Sequence, residues 1–301
     1  MKQDFIYIFV HVYKTGGTTL IKHLLKNYKK DEVLNLTHKE LNVYPDIRED
    51  DDYQKIVENY LGRLSKEQRD KIKVIVGHLL PFGIHKYFSR KARYLTLIRD
   101  PAKRTLSFYN YYRNLYENEN KASKRKALYK TMLLVNGKLP SFAEWFRVKY
   151  ANPNSSFVLR PMHDYFKRLG YLSKPGNIFH HFFFVGITEK SEDDLAYLYG
   201  LLGINKFFVN QNVSKKYVRA FASKDKFDYQ LYCQALKANA DFKKHHPEYQ
   251  PMVRRVKTKR LILTPFTQVI FDFKETLHLL SAKIREKSKL YSKIVDVLKR
   301  K

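Results

Sequence analysis

Apolar positions along the chain fall into short unbroken runs separated by stretches with helical spacing. Phe5 to Val10 is such a run, rich in β-branched and aromatic residues, and predicts a buried strand. Leu20, Ile21, Leu24 and Leu25 then recur at the period of a helix. Asp31 to Asp52 is polar, contains Pro45 and predicts a loop. Tyr53 to Ile72 predicts one helix, with Ile56, Tyr60, Leu61 and Leu64 on one face. Lys73 to Val76 predicts a second strand ended by Gly77-His78, and Leu79 to Phe88, with Pro81 and Gly83, a loop or short helical turn. Tyr94 to Ile98 predicts a third strand. After Arg99, Asp100 is a favourable N-cap and Pro101 a favourable first residue for a helix through Leu106, Tyr109, Tyr112 and Tyr116.

The second half continues in the same way. Ser141 to Tyr150 predicts a short amphipathic helix carrying Trp145, Ala151 to Pro161 a loop, and Tyr165 to Leu172 a helix. Phe179 to Val185 predicts a strongly apolar strand ended by Gly186 to Glu189, with His180 and His181 inside it as packing residues. Helices are predicted over Asp193 to Leu202 and Phe227 to Lys244. Strands alternating with helices predict a mainly parallel sheet covered on both faces, a three-layer α/β sandwich. A helical C-terminal extension over 223–301 is expected to pack on a domain spanning 1–222.

The charge changes the picture. The 301 residues carry a formal net charge of +29, which implies an anionic partner such as a nucleotide, a polyanionic glycan, nucleic acid or an anionic membrane. Pro251 to Lys301 holds fourteen Lys/Arg against four Asp/Glu. Its last helix has an apolar stripe of Leu290, Tyr291, Ile294, Val295 and Leu298. That helix packs on the core or docks peripherally on an anionic membrane. The one cysteine, Cys233, excludes an internal disulfide and fits a reducing compartment. No apolar run is long enough to span a membrane, and the chain enters its first strand directly, so a cytoplasmic protein is expected.

Candidate chemistry is concentrated after the first strand, in His11-Val12-Tyr13-Lys14-Thr15-Gly16-Gly17-Thr18-Thr19. A strand, a glycine-containing turn and a helix N-terminus aim backbone N–H groups at one spot, which suits a phosphate. Lys14 adds a point charge. The lysine precedes both glycines, so this is not a Walker A motif, which places lysine after the second glycine. A plain strand-to-helix turn is the other reading of Lys-Thr-Gly-Gly alone.

The run resembles the 5′-phosphosulfate loop of carbohydrate sulfotransferases that use 3′-phosphoadenosine 5′-phosphosulfate (PAPS), with Tyr13 where that family usually has proline. Further blocks carry the resemblance. Gly77-His78-Leu79-Leu80-Pro81-Phe82-Gly83-Ile84-His85 is similar to the segment that supplies the catalytic base; the 2-O-sulfotransferases have His-Gly-His there, and only the second histidine, His78, carries over. Leu97-Ile98-Arg99-Asp100-Pro101 through Ser107 resembles the 3′-phosphate motif, with Arg99 and Ser107 eight apart. Phe184 to Leu195 resembles a segment of architectural role, and Asn210 to Lys216 one that lies near the nucleotide. The Golgi members carry a membrane anchor, so this chain reads as a soluble bacterial relative, with its sequons at Asn35, Asn154 and Asn212 as chance matches.

The resemblance implies sulfuryl transfer from PAPS to a hydroxyl of a glycan, anionic glycans included, leaving adenosine 3′,5′-bisphosphate. It assigns His78 as base and Lys14 to the leaving phosphate. Thr15, Gly16, Gly17, Thr18 and Thr19 join Lys14 around the 5′-phosphate, and Arg99 and Ser107 hold the 3′-phosphate. No metal is expected, because His245-His246 lacks partners at ligand spacing. His11 and His85 are reserve candidates for the base. A P-loop kinase or NTPase would need an acidic Mg²⁺ ligand at a strand end, and Asp100 is better read as a cap. A nucleic-acid-binding protein is the third class, but no module for it is present and the basic residues are dispersed.

Overall fold

Ile6, Ile8 and Val10 of the first strand, β1 (Phe5–Val10), are buried on one face while Tyr7 and Phe9 are buried on the other. A strand apolar on both faces must lie inside a sheet with layers above and below it. The computed structural model describes residues 5–36, 50–78, 80–118, 130, 133–150, 161–171, 178–207 and 226–264. In it β1 is the central strand of a five-stranded sheet. The others are β2 (Val33–Leu36), β3 (Val74–Gly77), β4 (Lys91–Ile98) and β5 (Phe182–Ile187). Their order is β2-β3-β1-β4-β5, and every pairing is parallel.

The helices are α1 (Gly17–Asn27), α2 (Asp50–Arg63), α3 (Lys66–Lys71), α4 (Pro101–Asn118), α5 (Phe142–Trp145), α6 (Met162–Arg168), α7 (Ser191–Leu201), α8 (Lys226–His245) and α9 (residues 249–264). Two apolar clusters separate the layers. Ile6, Ile8 and Val10 pack with Val57 and Leu61 of α2, Tyr165 and Phe166 of α6, and Leu231 and Ala235 of α8. Tyr7 and Phe9 pack with Leu20 and Leu24 of α1, Tyr197 and Leu198 of α7, and Tyr249 and Val253 of α9. Each fully buried side chain of this size contributes roughly 1.5–3 kcal/mol, so β1 is a large part of what holds the layers together. A smaller cluster joins Tyr109 of α4 to Trp145 of α5. The three-layer α/β sandwich expected from the strand–helix alternation is therefore the fold.

Several local expectations are corrected. The predicted loop over 31–52 contains β2, a four-residue edge strand too short to show a period. The single helix expected over 53–72 is two helices. Ser65 breaks it with a capping box: its hydroxyl accepts from Gln68 N at 3.2 Å, and Gln68 Oε1 accepts from Ser65 N at 2.8 Å. His180 and His181 are not inside a strand but in a 3₁₀ turn, Ile178–His181, ahead of β5. Their ring centroids are 3.6 Å apart, whereas neighbours in an extended strand point to opposite faces. Gly186 and Ile187, read as a terminator, belong to β5, where Ile187 N donates to the buried Asp194 carboxylate at 2.7 Å. The segment 210–216 and the stripe 290–298 lie outside the described residues.

Candidate active site

Parallel register decides where the functional side chains emerge. Val10 is paired with Gly77 on one side and Thr96 on the other, and Ile98 is paired with Ile187. His11, His78, Arg99 and Thr188 therefore leave the sheet at one edge, the carboxyl ends of the strands. The chain runs from β1 to β2 on one side and from β4 to β5 on the other. The crevice between β1 and β4 is thus the switch point where open α/β sheets take their ligands.

The loop between β1 and α1 turns through two left-handed residues, Lys14 (φ 67°) and Gly16 (φ 87°). Gly16 adopts that conformation without penalty; a lysine there is strained, a feature concentrated at functional sites. Three successive carbonyls of the loop are held by side chains from elsewhere. Arg104 Nε donates to Tyr13 O at 2.9 Å and Arg99 Nη1 to Lys14 O at 3.2 Å, while Thr188 Oγ1 sits 2.6 Å from Thr15 O. Thr188 Oγ1 is also 3.0 Å from Ile98 O, tying the loop to the end of β4. Arg104 is itself buried, 3.7 Å from the fully buried Asp228 of α8. With these carbonyls held, the peptide units of the loop are fixed in place.

Within the loop, Thr15 is buried and its hydroxyl donates to Val12 O at 2.8 Å, so its side chain serves the turn itself. Gly17 and Thr18 stand in the first turn of α1, where a helix leaves N–H groups without intrahelical partners. Thr18 is exposed and Thr19 half-buried. Gly17 is fully enclosed: a Cβ there would lie 2.4 Å from His11 Cδ2 and 2.9 Å from Phe9 Cε1. Gly17→Ala gains up to about 1 kcal/mol of helix propensity but overpacks a rigid ring stack at roughly 1–3 kcal/mol. We expect a net fall in melting temperature, read by thermal denaturation; an unchanged value would mean the loop yields freely.

Lys14 lies with Nζ 3.7 Å above the ring of Tyr111 in α4. Burial, and then the neighbouring Arg99 guanidinium, push its pKa down to about 8. Arg99 is likewise lowered by burial, although Glu189, 3.8 Å from its Nε, and Asp100 act in the opposite direction. Two cations share one desolvated place, an arrangement that a bound anion relieves. Ser107 is half-buried in α4, one turn before Tyr111 and on the same helix face. Asp100 caps α4 as its sequence position predicts, accepting from Lys103 N at 2.9 Å.

His78 follows the end of β3. Its Nδ1 is 2.9 Å from His11 O. A carbonyl only accepts, so Nδ1 carries the proton and the basic lone pair is on Nε2. The imidazole is layered between two rings: Tyr13 at 3.8 Å and 6°, and His11 at 4.3 Å and 29°. His11 is 3% exposed, and its pKa is held well below the usual imidazole value by burial first, then by His78 and Lys14. His85 is placed apart, with Nδ1 2.9 Å from Tyr94 Oη.

The structure therefore brings Lys14, the Gly16–Thr19 turn, His78 and Arg99 to one sheet edge, with Ser107 on α4, the helix that follows Arg99. Sequence reasoning gave no role to Arg104 or Asp228, and to Thr188 and Glu189 only an architectural one. Arg104 alone had a signal, a charged residue on the buried face of a helix. A cavity of about 330 Å³ between β5 and α8, lined by Phe179, Phe183, Phe242 and His246 among others, contains none of these residues.

Comparison with known proteins places the chain. The profile of the sulfotransferase family matches residues 1–256. Among solved structures, a sulfotransferase from Alicyclobacillus acidocaldarius is similar at 14% identity over 79% of this chain and 94% of that one, with a TM-score of 0.31. Retinol dehydratase in complex with retinol and PAP is similar at 19% identity over 79% and 81%, with a TM-score of 0.21. No curated protein sequence matches the chain. The assignment rests on the family profile, which spans most of the sequence: the chain belongs to the sulfotransferase family.

Proposed function

We propose that this protein transfers a sulfuryl group from PAPS to a hydroxyl of a carbohydrate. The observation that carries the reading is the placement of two desolvated cations, Lys14 and Arg99, beside a phosphate-type turn and an imidazole of defined tautomer. The residues fit a ligand with two separated phosphates. Lys14 and the N–H groups of Gly16, Gly17 and Thr18 suit the 5′-phosphate. Thr19 N donates to Gly16 O at 3.4 Å, so Thr19 offers its hydroxyl beside them. Arg99 with Ser107 suits the 3′-phosphate. When bound, PAPS supplies the activated sulfuryl group.

His78 Nε2 takes the proton of the acceptor hydroxyl as that oxygen attacks. The His11 carbonyl keeps the other nitrogen protonated and so keeps Nε2 basic. Lys14 places positive charge where negative charge develops on the departing phosphate oxygen, in a site with little water to screen it. The retained proton on Lys14 is favoured once an anion lies beside it, which reverses the effect of burial.

The test is calorimetry. Wild-type protein is expected to bind adenosine 3′,5′-bisphosphate more tightly than ATP, which has no 3′-phosphate. Arg99→Ala should lower affinity for the bisphosphate by ten- to a hundred-fold, about 1.5–3 kcal/mol for a lost charge-assisted contact. The loss for adenosine 5′-phosphate should be smaller but not zero, because Arg99 also holds Lys14 O. Equal losses for the two ligands would show that Arg99 acts only through the loop.

The acceptor is addressed by salt. The net charge of +29 suits an anionic glycan, and contacts at exposed charges weaken as salt screens them. The acceptor KM, measured with labelled sulfate on candidate glycans, should rise steeply from low to physiological salt. A flat KM would exclude a polyanionic acceptor. Among the described residues no helix is long and apolar enough to cross a membrane.

A further inference from the structure

We propose that Tyr13 is a positioning residue for the imidazole of His78: its ring holds the plane of that imidazole and favours the protonated form created when the base takes a proton. The inference rests on reading His78 as the base. Its physical basis is separate. The two rings are 3.8 Å apart at 6°, closer and flatter than the stack of His78 on His11. Tyr13 is 36% exposed, so burial of its own surface does not account for its fixed position.

The backbone accounts for it instead. Tyr13 O accepts from Arg104 Nε at 2.9 Å, and Arg104 is 2% exposed and paired with Asp228. Asp228 in turn accepts from His163 N at 3.0 Å. The next residue, Lys14, is held in a left-handed conformation. Residue 13 is thus anchored on both sides, and its ring is laid on His78 by the scaffold.

The groups that face the imidazole set the sign of the effect. From the end of β1, His11 lies on the opposite face and is kept neutral by its burial, so it adds no charge there. Lys14 acts on His11 in the same direction. Tyr165 of α6 reaches the same His11 carbonyl that His78 uses, at 3.5 Å. Tyr13 presents an electron-rich ring face to His78. A cation over such a face is stabilised, while the neutral imidazole gains less. The stack therefore raises the basicity of Nε2 and supports the charge that appears on proton transfer. It also keeps the ring in the plane in which Nδ1 donates to His11 O.

The experiment is an NMR titration of the His78 ring in labelled protein without any nucleotide, combined with pH profiles of transfer. In Tyr13→Leu the His78 pKa should fall by about half to one pH unit. The acid limb of kcat should move in the same direction, and kcat at its plateau should drop about three- to ten-fold. KM for PAPS should stay within about two-fold. Tyr13→Phe, which keeps the ring and loses the hydroxyl, should restore both the pKa and kcat. The proposal is overturned if His78 titrates in Tyr13→Leu as in wild type, or if Tyr13→Phe is as impaired as Tyr13→Leu. The NMR readout needs neither PAPS nor acceptor. Failure of the base assignment shows elsewhere, as retained kcat in His78→Asn.

Discussion

Replacing Lys14 by methionine is expected to lower kcat by at least 10²–10³-fold, about the loss seen when one preorganised charge-stabilising contact is removed, and to make the protein more stable. The two effects share a cause. The Lys14 ammonium is held in a desolvated place next to Arg99, so its pKa is lowered from 10.5 to about 8. The folded state then binds this proton less well than the unfolded chain. At pH 7 both states are protonated and the full penalty is present, on the order of 2–3 kcal/mol. As pH rises from 8 toward 10.5, the folded protein has already released the proton while the unfolded chain still holds it. Stability from this site therefore rises with pH through that window.

Lys14→Met removes the penalty while keeping the length of the side chain over Tyr111 and the same left-handed backbone cost. Its melting temperature should exceed that of wild type at pH 7, and the gap should narrow by about pH 10. In the wild type, kcat/KM should show an alkaline limb near 8, where the free protein loses the Lys14 proton. Near-normal turnover by folded Lys14→Met would remove lysine from the mechanism.

His78→Asn should lower kcat by roughly 10²–10⁴-fold, the range of general acid–base catalysis, with little change in affinity for adenosine 3′,5′-bisphosphate. The asparagine amide can donate to His11 O as Nδ1 does, so the local hydrogen bond at 2.9 Å has a substitute. What is lost is a group able to accept a proton at neutral pH. Wild-type kcat should rise through the imidazole range, near pH 6.5 for an unperturbed ring, and that limb should vanish in the variant. Retention of most of kcat with an unaltered profile would make His78 a positioning group only. Of the two reserve histidines, His11 is buried under His78, and His85 has its Nδ1 beside Tyr94 Oη.

The loop was legible because its signals are local. A run of apolar residues, two adjacent glycines, a lysine and a helical period lie within one short stretch, and the structure makes of them a strand, a left-handed turn and α1. Asp100 and Pro101 specified the start of α4 in the same local way. Where local signals were weak the reading failed. The four residues of β2 show no period, and the Ser65–Gln68 capping box was overridden by apolar residues that continue on both sides. The pair His180-His181 looked like part of an apolar strand, because composition does not tell an extended residue from one in a 3₁₀ turn.

By itself the sequence determined most of the elements, the turn chemistry at Gly16, the order of the phosphate-type motifs and the basic character that calls for an anionic partner. Only the tertiary structure decided how they act together. The order β2-β3-β1-β4-β5 sets the ends of β1, β3, β4 and β5 along one edge, although His11 and Thr188 are far apart in the chain. That convergence lets Arg104, Arg99 and Thr188 fix three consecutive carbonyls of the loop, and lets Tyr13 and His11 enclose His78. The lowered pKa of Lys14 and the tautomer of His78 belong to the same category. Both depend on which groups exclude water and which carbonyl accepts a proton donor, and these neighbours come from strands and helices that no local pattern relates.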